Sequence, residues 1–286
     1  MIVVTGSASG MLTKSLAEIL RCRTADVEIK RFPDQECYVK VKESLKGHEA
    51  VIVQSTYPDP NAIELLLLQD AVRNSGAESI TTVVPYFGYA RQDKSFAEGE
   101  AVSARVMAKH IGLGCDRVFT VDIHNVSVLE AFAVPVSNLS AMPTIGRFLA
   151  DDSVDAIVSP DEGSKERAAL AAEAAGIPWD FLEKKRIDGS TVEIKPKNLD
   201  VGGKTVAIVD DIIATGGTVI KAAEQLKAQG AKKVFAACTH GLFTGGSLPK
   251  LEAACDRVLS TDTLERPTSV ISAANCIAEA LRNGSG

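Results

Sequence analysis

The residues best placed to do chemistry lie in the segment 206–218, which reads VAIVDDIIATGGT. Its apolar run predicts a buried strand of a parallel sheet, and Asp210 and Asp211 follow at the predicted carboxyl end. Open α/β sheets bind their ligands at this edge. Two carboxylates at that position can accept hydrogen bonds from neighbouring hydroxyl groups of a sugar.

A glycine turn and a helix follow the two carboxylates. Gly216 and Gly217 carry no Cβ, so successive amide groups and the helix N-terminus can surround a phosphate group. Thr215 and Thr218 add hydroxyl donors to this turn, which begins at Ala214. The segment predicts a sugar-phosphate site, although a tight turn before a capped helix uses the same residue types.

An aromatic and acidic segment occupies residues 31–36, which read RFPDQE. Phe32 could stack on a purine, and Asp34 and Glu36 could accept hydrogen bonds from its exocyclic amine. Phe-Pro-Asp is also common in turns, so these residues leave a purely structural role open.

A second cluster of aromatic and charged residues ends a predicted strand at residues 85–94, which read PYFGYARQDK. The planar guanidinium group of Arg91 could bind two phosphate oxygens at once. Packing of the aromatic rings is the alternative explanation of this segment.

Two candidate site residues follow predicted strands. His124 comes after the strand 117–121, and Asp161 comes after the strand 156–159 and before a glycine. A carboxylate in such a turn could help to hold a magnesium ion with bound waters. Capping of the turn by Asp161 and a structural role for the histidine are the alternatives.

Three consecutive cations, at residues 184–186, follow a short predicted strand. Lys184 and Arg186 could meet an anionic ligand, or the run could be solvated surface. The alternating segment 191–195 predicts a hairpin arm or a mobile flap after these cations.

Strands and helices that alternate along the chain must position these residues. Short β-branched runs predict buried parallel strands at 2–4, 50–54, 80–85, 117–121, 156–159, 205–209 and 233–237. Periodic segments predict helices at 62–75, 103–111, 165–175 and 218–229. This alternation predicts an α/β fold built from parallel crossovers.

The alternation occurs twice, before and after an irregular segment at 138–148. A chain of 286 residues is long enough for two cores. We therefore predict two domains, at 1–142 and 143–286.

Composition excludes several classes of function. The net charge of -6 gives no electrostatic basis for binding nucleic acid or an anionic membrane. No apolar run is long enough to cross a bilayer, and the N-terminus lacks the basic start of a signal peptide. The 6 cysteines are scattered, which predicts reduced thiols. Together these features predict a cytoplasmic protein.

Taken in order, the segments resemble those of ribose-phosphate pyrophosphokinases, most closely the shorter archaeal-type enzymes. The resemblance covers nearly the whole chain and rests on RFPDQE, YFGYARQ, VDIH, SPDEG, EKKR and VDDIIATGGT. It implies two phosphoribosyltransferase-like domains, each with a mainly parallel sheet flanked by helices, the first having lost its own phosphate-binding function. It also implies Mg²⁺-dependent transfer of the diphosphoryl group of ATP to the 1-hydroxyl of ribose 5-phosphate.

The resemblance further implies a role for each matching residue. The expected contacts to ATP are Phe32, Asp34, Gln35, Glu36, Arg91, Gln92 and His124. The expected magnesium positions are His124 and Asp161, and the expected catalytic cations are Lys184 and Arg186. The expected ribose 5-phosphate site is Arg186, Asp210, Asp211, Ala214, Thr215, Gly216, Gly217 and Thr218. The family also implies a homodimer or a larger assembly of dimers, in which the segment of Phe32 reaches a neighbouring subunit's ATP.

Two positions depart from the family pattern: Gln35 and Ser164 stand where glycine is commoner. The first affects the adenine contacts and the second the backbone of the metal loop. Two other functions share the 206–218 segment. One is a type I phosphoribosyltransferase that consumes phosphoribosyl pyrophosphate, and the other is a non-catalytic regulator of the same fold.

Overall fold

The computed structural model describes residues 1–186 and 192–283, without the side chains of residues 184–186 and 192–194. The chain forms two compact units. Unit 1 consists of Met1–Ser140, Thr263–Glu265 and the segment that begins at Ser272. Unit 2 consists of Ala141–Asp262 and Arg266–Ile271.

Unit 1 is built on a parallel sheet flanked by helices. Its strands are, in spatial order, β1 (Ile2–Thr5), β4 (Glu49–Val53), β5 (Ser79–Val84), β6 (Arg117–Val121) and β7 (Val136–Leu139). Its first helices are α1 (Gly10–Leu20), α2 (Asp59–Asn74) and α3 (Ser103–Leu113). An antiparallel hairpin of β2 (Val27–Arg31) and β3 (Cys37–Val41) completes this part. The strands are continuously apolar because helices cover the sheet.

Unit 2 has a larger sheet of the same kind. Its described strands are, in spatial order, β10 (Val192–Pro196), β9 (Trp179–Arg186), β8 (Ala156–Ser159), β11 (Thr205–Ile213), β12 (Lys233–Gly241), β13 (Arg257–Thr261) and β14 (Ser269–Ile271). All described neighbours are parallel except β9 and β10. Its helices are α4 (Met142–Asp151), α5 (Lys165–Ala175), α6 (Gly217–Ala228) and α7 (Leu248–Ala254).

The last helix, α8 (Ala274–Asn283), belongs to unit 1. Its buried stripe contains Ile277 and Leu281, and it packs against α1. Arg282 Nη2 also donates a 2.7 Å hydrogen bond to the carbonyl oxygen of Ile19. The observed division therefore differs from a single boundary at 142/143, because burial of the apolar stripe of α8 returns the end of the chain to unit 1.

The predicted α/β class and the predicted strands and helices are confirmed, with ends that shift by a few residues. The sequence reading did not include α1, α4, α7, α8, the β2–β3 hairpin, β7, β13 or β14. The arm predicted at 191–195 corresponds in its described part to β10, which pairs antiparallel with β9.

The cysteines are all free, as predicted. Among the described residues, no helix combines the length and the apolar character that a membrane crossing needs.

Candidate active site

Asp210 and Asp211 lie inside β11, and not at its end as the sequence predicted. The strand continues to Ile213 because it keeps pairing with β12, where Ile212 lies opposite His240. The side chain of Asp211 is buried, whereas that of Asp210 is only partly buried.

The glycine turn after β11 has the geometry that the sequence predicted. Gly216 precedes the first residue of α6 with a φ of 72°, in the left-handed region. A Cβ at this position would also lie 2.8 Å from Leu251 Cδ1. At Gly217 a Cβ would meet no described atom within 4 Å. Glycine is thus needed at Gly216 by the fold itself, whereas Gly217 leaves open space beside the helix N-terminus.

The segment after β12 fixes this turn in place. The carbonyl oxygen of Ala214 accepts hydrogen bonds from Thr244 N at 3.0 Å and from Ser247 Oγ at 3.1 Å. Thr215 and Thr218 are exposed. Hydrogen bonds to the carbonyl group of Ala214 therefore fix the turn, while its two threonine residues are exposed to solvent. This arrangement suits the binding of an anion.

Two residues of the 159–167 region contact the paired carboxylates. Ser164 Oγ donates a 2.7 Å hydrogen bond to Asp210 Oδ1, which also accepts from Asp211 N at 2.9 Å. Arg167 Nη2 lies 3.1 Å from Asp211 Oδ2 in an ion pair whose carboxylate side chain is only 3% exposed. A buried carboxylate needs such a partner.

The sequence analysis assigned no role to Arg167 and treated Ser164 only as a departure from the family pattern. Arg167 lies in the first turn of α5, which is a weak sequence signal. Neither partner could be assigned to its carboxylate without knowing that β8 and β11 are neighbours.

The electrostatics of the pair are unequal. Burial raises the pKa of Asp210 from 3.8 to about 7, and the negative charge of Asp211 adds to the effect. The hydrogen bond from Ser164 acts in the opposite direction, because it favours the ionised carboxylate. Asp210 therefore holds its proton more readily than a free carboxyl group, and a bound cation or a hydroxyl donor would favour its ionised form.

Asp161 lies in the same unit, on the loop between β8 and α5. Its Oδ1 accepts a 3.2 Å hydrogen bond from Ser164 N, which caps the short helical turn Glu162–Ser164. Ser164 itself has a φ of -99°, so the backbone does not require glycine there. Serine in place of glycine at position 164 therefore does not strain the backbone of this loop. Asp161 is exposed at the start of the loop.

In unit 1, the loop after β6 carries His124, whose side chain is exposed. Asn138 Oδ1 fixes the start of this loop by accepting from Ile123 N at 2.9 Å. Asn125, which follows His124, donates a hydrogen bond from its side-chain amide to Asp93 Oδ2. This bond joins the loop of His124 to the loop that carries the predicted ATP contacts.

Arg91 and Gln92 lie on that second loop. Arg91 is exposed, and Gln92 is partly buried. The backbone of Gln92 accepts from Ala104 N at 3.2 Å, while its side chain donates to Lys94 O at 3.2 Å. Unit 1 therefore brings the predicted positions 91, 92 and 124 to neighbouring loops.

The predicted adenine contacts form the turn of the β2–β3 hairpin. Phe32 N donates to Glu36 O at 2.9 Å, and Glu36 N donates to Asp34 Oδ1 at 3.1 Å. Phe32 is 42% exposed and meets the ring of Tyr38 edge to face, with centroids 5.7 Å apart. Gln35 has a φ of 73°, which is the left-handed conformation that favours glycine. All of the turn is exposed, as a ligand contact requires.

The two predicted catalytic cations, Lys184 and Arg186, lie in the last residues of β9 and not after it as predicted. In the backbone register, Lys184 pairs with Ile194 and Arg186 with Val192. Their side chains lie outside the described part of the structure.

The described residues contain no group of three or more His, Cys, Asp or Glu side chains arranged to hold a metal ion. A magnesium site does not need such a group, because Mg²⁺ commonly takes one or two protein carboxylates and completes its shell with waters and substrate phosphates. The exposed carboxylate of Asp161 fits that donor chemistry.

These observations define the chain as an α/β protein with a preorganised glycine turn beside paired carboxylates, the arrangement of a sugar-phosphate-binding domain. Comparison with family models agrees with this class. Residues 1–113 match the N-terminal domain of ribose phosphate pyrophosphokinase, and residues 144–273 match the phosphoribosyl transferase domain.

Relatives match over the whole length. The ribose-phosphate pyrophosphokinase of Methanopyrus kandleri is 43% identical over 292 residues, covering 100% of both chains. That of Pyrococcus furiosus is 43% identical, covering 94% of this chain and 96% of its own. The crystal structure of phosphoribosylpyrophosphate synthetase from Mycobacterium smegmatis superposes with a TM-score of 0.83 at 29% identity, covering 98% of this chain and 97% of that one. The chain belongs to the ribose-phosphate pyrophosphokinase family.

Proposed function

We propose that this protein transfers the diphosphoryl group of ATP to the 1-hydroxyl of ribose 5-phosphate, giving phosphoribosyl pyrophosphate and AMP. The observation that carries the proposal is the glycine turn after β11, held open beside Asp210 and Asp211, in a chain of this family. The predicted roles of the other site residues follow from the resemblance.

Ribose 5-phosphate is recognised at this turn. The phosphate group accepts hydrogen bonds from the amides of residues 214–218 and from the hydroxyls of Thr215 and Thr218, at the N-terminus of α6. Asp210 and Asp211 accept hydrogen bonds from hydroxyl groups of the ribose. Ser164 and Arg167 hold these carboxylates, so little reorganisation is needed when the sugar binds.

ATP is bound by two groups of residues. Phe32 stacks on the adenine, with Asp34, Gln35 and Glu36 beside it, and the hairpin turn reaches the ATP of a neighbouring subunit. Arg91 and Gln92, together with His124, contact the ATP of their own subunit. Edge-on stacking on Tyr38 already fixes the ring of Phe32 before ligand binds.

Mg²⁺ is the proposed cofactor, and the family resemblance assigns magnesium-associated roles to Asp161 and, separately, to His124. When bound it neutralises charge on the phosphate oxygens. In this chain, Asp161 offers an exposed carboxylate whose orientation is set by Ser164 N.

The reaction is an in-line displacement. The 1-oxygen of ribose 5-phosphate forms a bond to the β-phosphorus while the bond from that phosphorus to the AMP oxygen breaks; AMP leaves with the electron pair of that bond, and the hydroxyl proton is released to water. Because charge builds up on phosphate oxygens, positioning and cations carry the catalysis. Lys184 and Arg186 supply those cations, and Arg186 also contacts ribose 5-phosphate.

One assay tests the proposal. The protein is incubated with ATP, MgCl₂ and ribose 5-phosphate, and AMP and phosphoribosyl pyrophosphate are measured. Equal amounts of both products are expected. A type I phosphoribosyltransferase would instead consume phosphoribosyl pyrophosphate only when a base is added, and a non-catalytic regulator would form no product. Either result would refute the proposal.

The assembly state and the location follow from the family. We expect a homodimer or a larger assembly of dimers, located in the cytoplasm and without nucleic acid or membrane partners. Light scattering at several concentrations measures the assembly directly, and a monomer at working concentration would contradict this expectation.

A further inference from the structure

Unit 1 contains a buried carboxylate that the proposed reaction does not use. Glu64, in the second turn of α2, is only 1% exposed. Its oxygens accept hydrogen bonds from Ser7 N at 2.7 Å, Ser7 Oγ at 2.7 Å and Gln54 Nε2 at 2.8 Å. An ionised side chain is rarely buried to this degree without a specific role for its charge.

Glu64 fills the loop between β1 and α1. This loop lies at the carboxyl end of a parallel strand, where backbone amides commonly bind anions in α/β folds. Here Ser7 N is bound by Glu64, and Ala8 N donates to Gln54 Oε1 at 3.0 Å. A Cβ at Gly6 would lie 2.2 Å from the same Gln54 oxygen. Side chains of the protein itself therefore occupy the loop. The carboxylate of Glu64 lies where the amides of such a loop would otherwise bind an anion.

Glu64 also reaches the β2–β3 hairpin. Arg31, the last residue of β2, places Nη2 3.7 Å from Glu64 Oε2 and donates a 3.2 Å hydrogen bond to Pro60 O. Val27 and Ile29 pack against the core of unit 1, and strand alternation puts Arg31 on their face. The next residue, Phe32, falls on the opposite face.

We propose that Glu64 is a positioning residue for the adenine-contacting turn 32–36. It links the loop of Ser7, which follows β1 of the sheet, to Arg31, which immediately precedes the turn. This inference rests on the proposed function, because it assumes that the turn contacts ATP. The proposed role of the Glu64 charge concerns the ATP-contacting turn of unit 1 and does not involve the glycine turn of unit 2.

The link makes a kinetic prediction that separates positioning from general stability. Glu64→Gln keeps the shape of the side chain and removes the charge that attracts Arg31. Arg31→Gln removes the cationic partner of Glu64 and leaves the hydrogen bonds of Glu64 with Ser7 and Gln54 in place. Each variant should raise the KM for ATP by roughly fivefold while the KM for ribose 5-phosphate stays unchanged. The double variant should be no worse than the worse single variant, because both remove one link.

The matched control is Asp70→Asn, which removes a charge from an exposed position of the same helix. Its KM values should equal those of the wild type. Ser7→Ala is a second comparison, because it removes only the hydroxyl bond at the loop end and leaves Arg31 paired. It should lower thermal stability without a change in the KM for ATP.

Hydrogen exchange of the backbone amides of Phe32, Asp34, Gln35 and Glu36 gives a readout independent of activity. Exchange should become faster in both Glu64→Gln and Arg31→Gln, and not in Asp70→Asn. An unchanged KM for ATP in Arg31→Gln overturns the proposal even if Glu64→Gln fails to fold, and so does a double variant whose effects multiply. If the wild type forms no AMP, the proposed function fails, and unchanged exchange in Arg31→Gln then separately decides against the link.

Discussion

Ser164 Oγ and Asp210 Oδ1 are joined by a 2.7 Å hydrogen bond, which connects the loop of the proposed metal carboxylate to the strand of the proposed sugar site. The backbone amide of the same serine donates to Asp161 Oδ1 at 3.2 Å. One residue therefore orients a carboxylate on each side of the site. A glycine at this position would keep the backbone bond and lose the one to Asp210.

This relationship predicts a selective defect in Ser164→Ala. Loss of a hydrogen bond to a charged group costs about 1.5–3 kcal/mol. The cost is smaller where water can take the place of the lost donor. We expect the KM for ribose 5-phosphate to rise by roughly five- to tenfold and the KM for ATP to change little. Initial rates at varied concentrations of each substrate check this. Glu166→Ala, an exposed neighbour, is the control, and equal changes in both KM values would contradict the positioning role.

The two glycines of the turn should respond differently to alanine. Gly216→Ala places a methyl group against Leu251 in a left-handed conformation, at a combined cost of roughly 2–4 kcal/mol of unfolding free energy. Gly217→Ala meets open space within the described structure, at the first position of α6, and should leave stability unchanged or raise it by up to about 0.5–1 kcal/mol. Urea unfolding measures both values.

Activity completes the comparison of these glycines. The methyl group of Gly217→Ala enters the space beside the helix N-terminus where the phosphate is proposed to bind. We therefore expect a stable protein with weakened ribose 5-phosphate binding. Wild-type binding in Gly217→Ala, measured by calorimetry, would show that the phosphate binds elsewhere.

The 206–218 segment could be predicted from the sequence because its parts are neighbours along the chain. A strand, two acids and a glycine turn each have a local pattern, and the structure places them as expected, apart from the longer β11. The bonds that support the segment could not be predicted in this way. Ser164 and Asp210 are 46 residues apart, and they meet only because β8 and β11 pair.

The same limit explains the other residues that the sequence analysis did not find. Glu64 is 57 residues from Ser7, and its position inside an apolar stretch of α2 gives no sign that its charge is buried. The sequence analysis did not find α8, and no local pattern shows that this helix packs on α1 at the other end of the chain. Long-range pairing of this kind depends on the tertiary fold.

The raised pKa of Asp210 predicts how stability depends on pH. A carboxyl group with a pKa of about 7 when folded and 3.8 when unfolded stabilises the folded state below about pH 4. This contribution is lost as pH rises through 7, because ionisation is harder in the folded protein. Asp210→Asn cannot ionise, so its stability relative to the wild type should rise between pH 4 and pH 8 by on the order of 1–2 kcal/mol.

Urea unfolding of both proteins at pH 4, 6 and 8 tests this dependence. Asp70→Asn, which changes an exposed carboxylate, should show no comparable trend. A constant difference between Asp210→Asn and the wild type over the range would mean that Asp210 ionises normally. The gain in stability should accompany a loss of ribose 5-phosphate binding, since the ionised carboxylate is the better acceptor.

The left-handed conformation of Gln35 makes a prediction about the hairpin turn. A residue other than glycine with a φ of 73° is strained by about 1 kcal/mol, and a β-branched residue is strained more. Gln35→Gly should therefore raise the unfolding free energy by up to about 1 kcal/mol, and Gln35→Val should lower it by a similar amount. Thermal and urea unfolding measure the order of stability of the three proteins. A Gln35→Gly variant less stable than the wild type would contradict the left-handed conformation of this residue.

The proposed catalytic cations can be tested against the residue between them. Lys185 lies between Lys184 and Arg186 in the sequence of β9 and carries the same charge as Lys184, which makes it the matched control. A cation that stabilises charge in the transition state contributes roughly 3–4 kcal/mol, which corresponds to a turnover about 10²–10³-fold lower in Lys184→Ala. Lys185→Ala changes the same charge by the same chemistry and should retain turnover within a few-fold of wild type. Single-turnover rates of AMP formation at saturating substrates make the comparison, and equal effects of the two substitutions would indicate a general role of charge in this strand and not contact of Lys184 with the reacting phosphates.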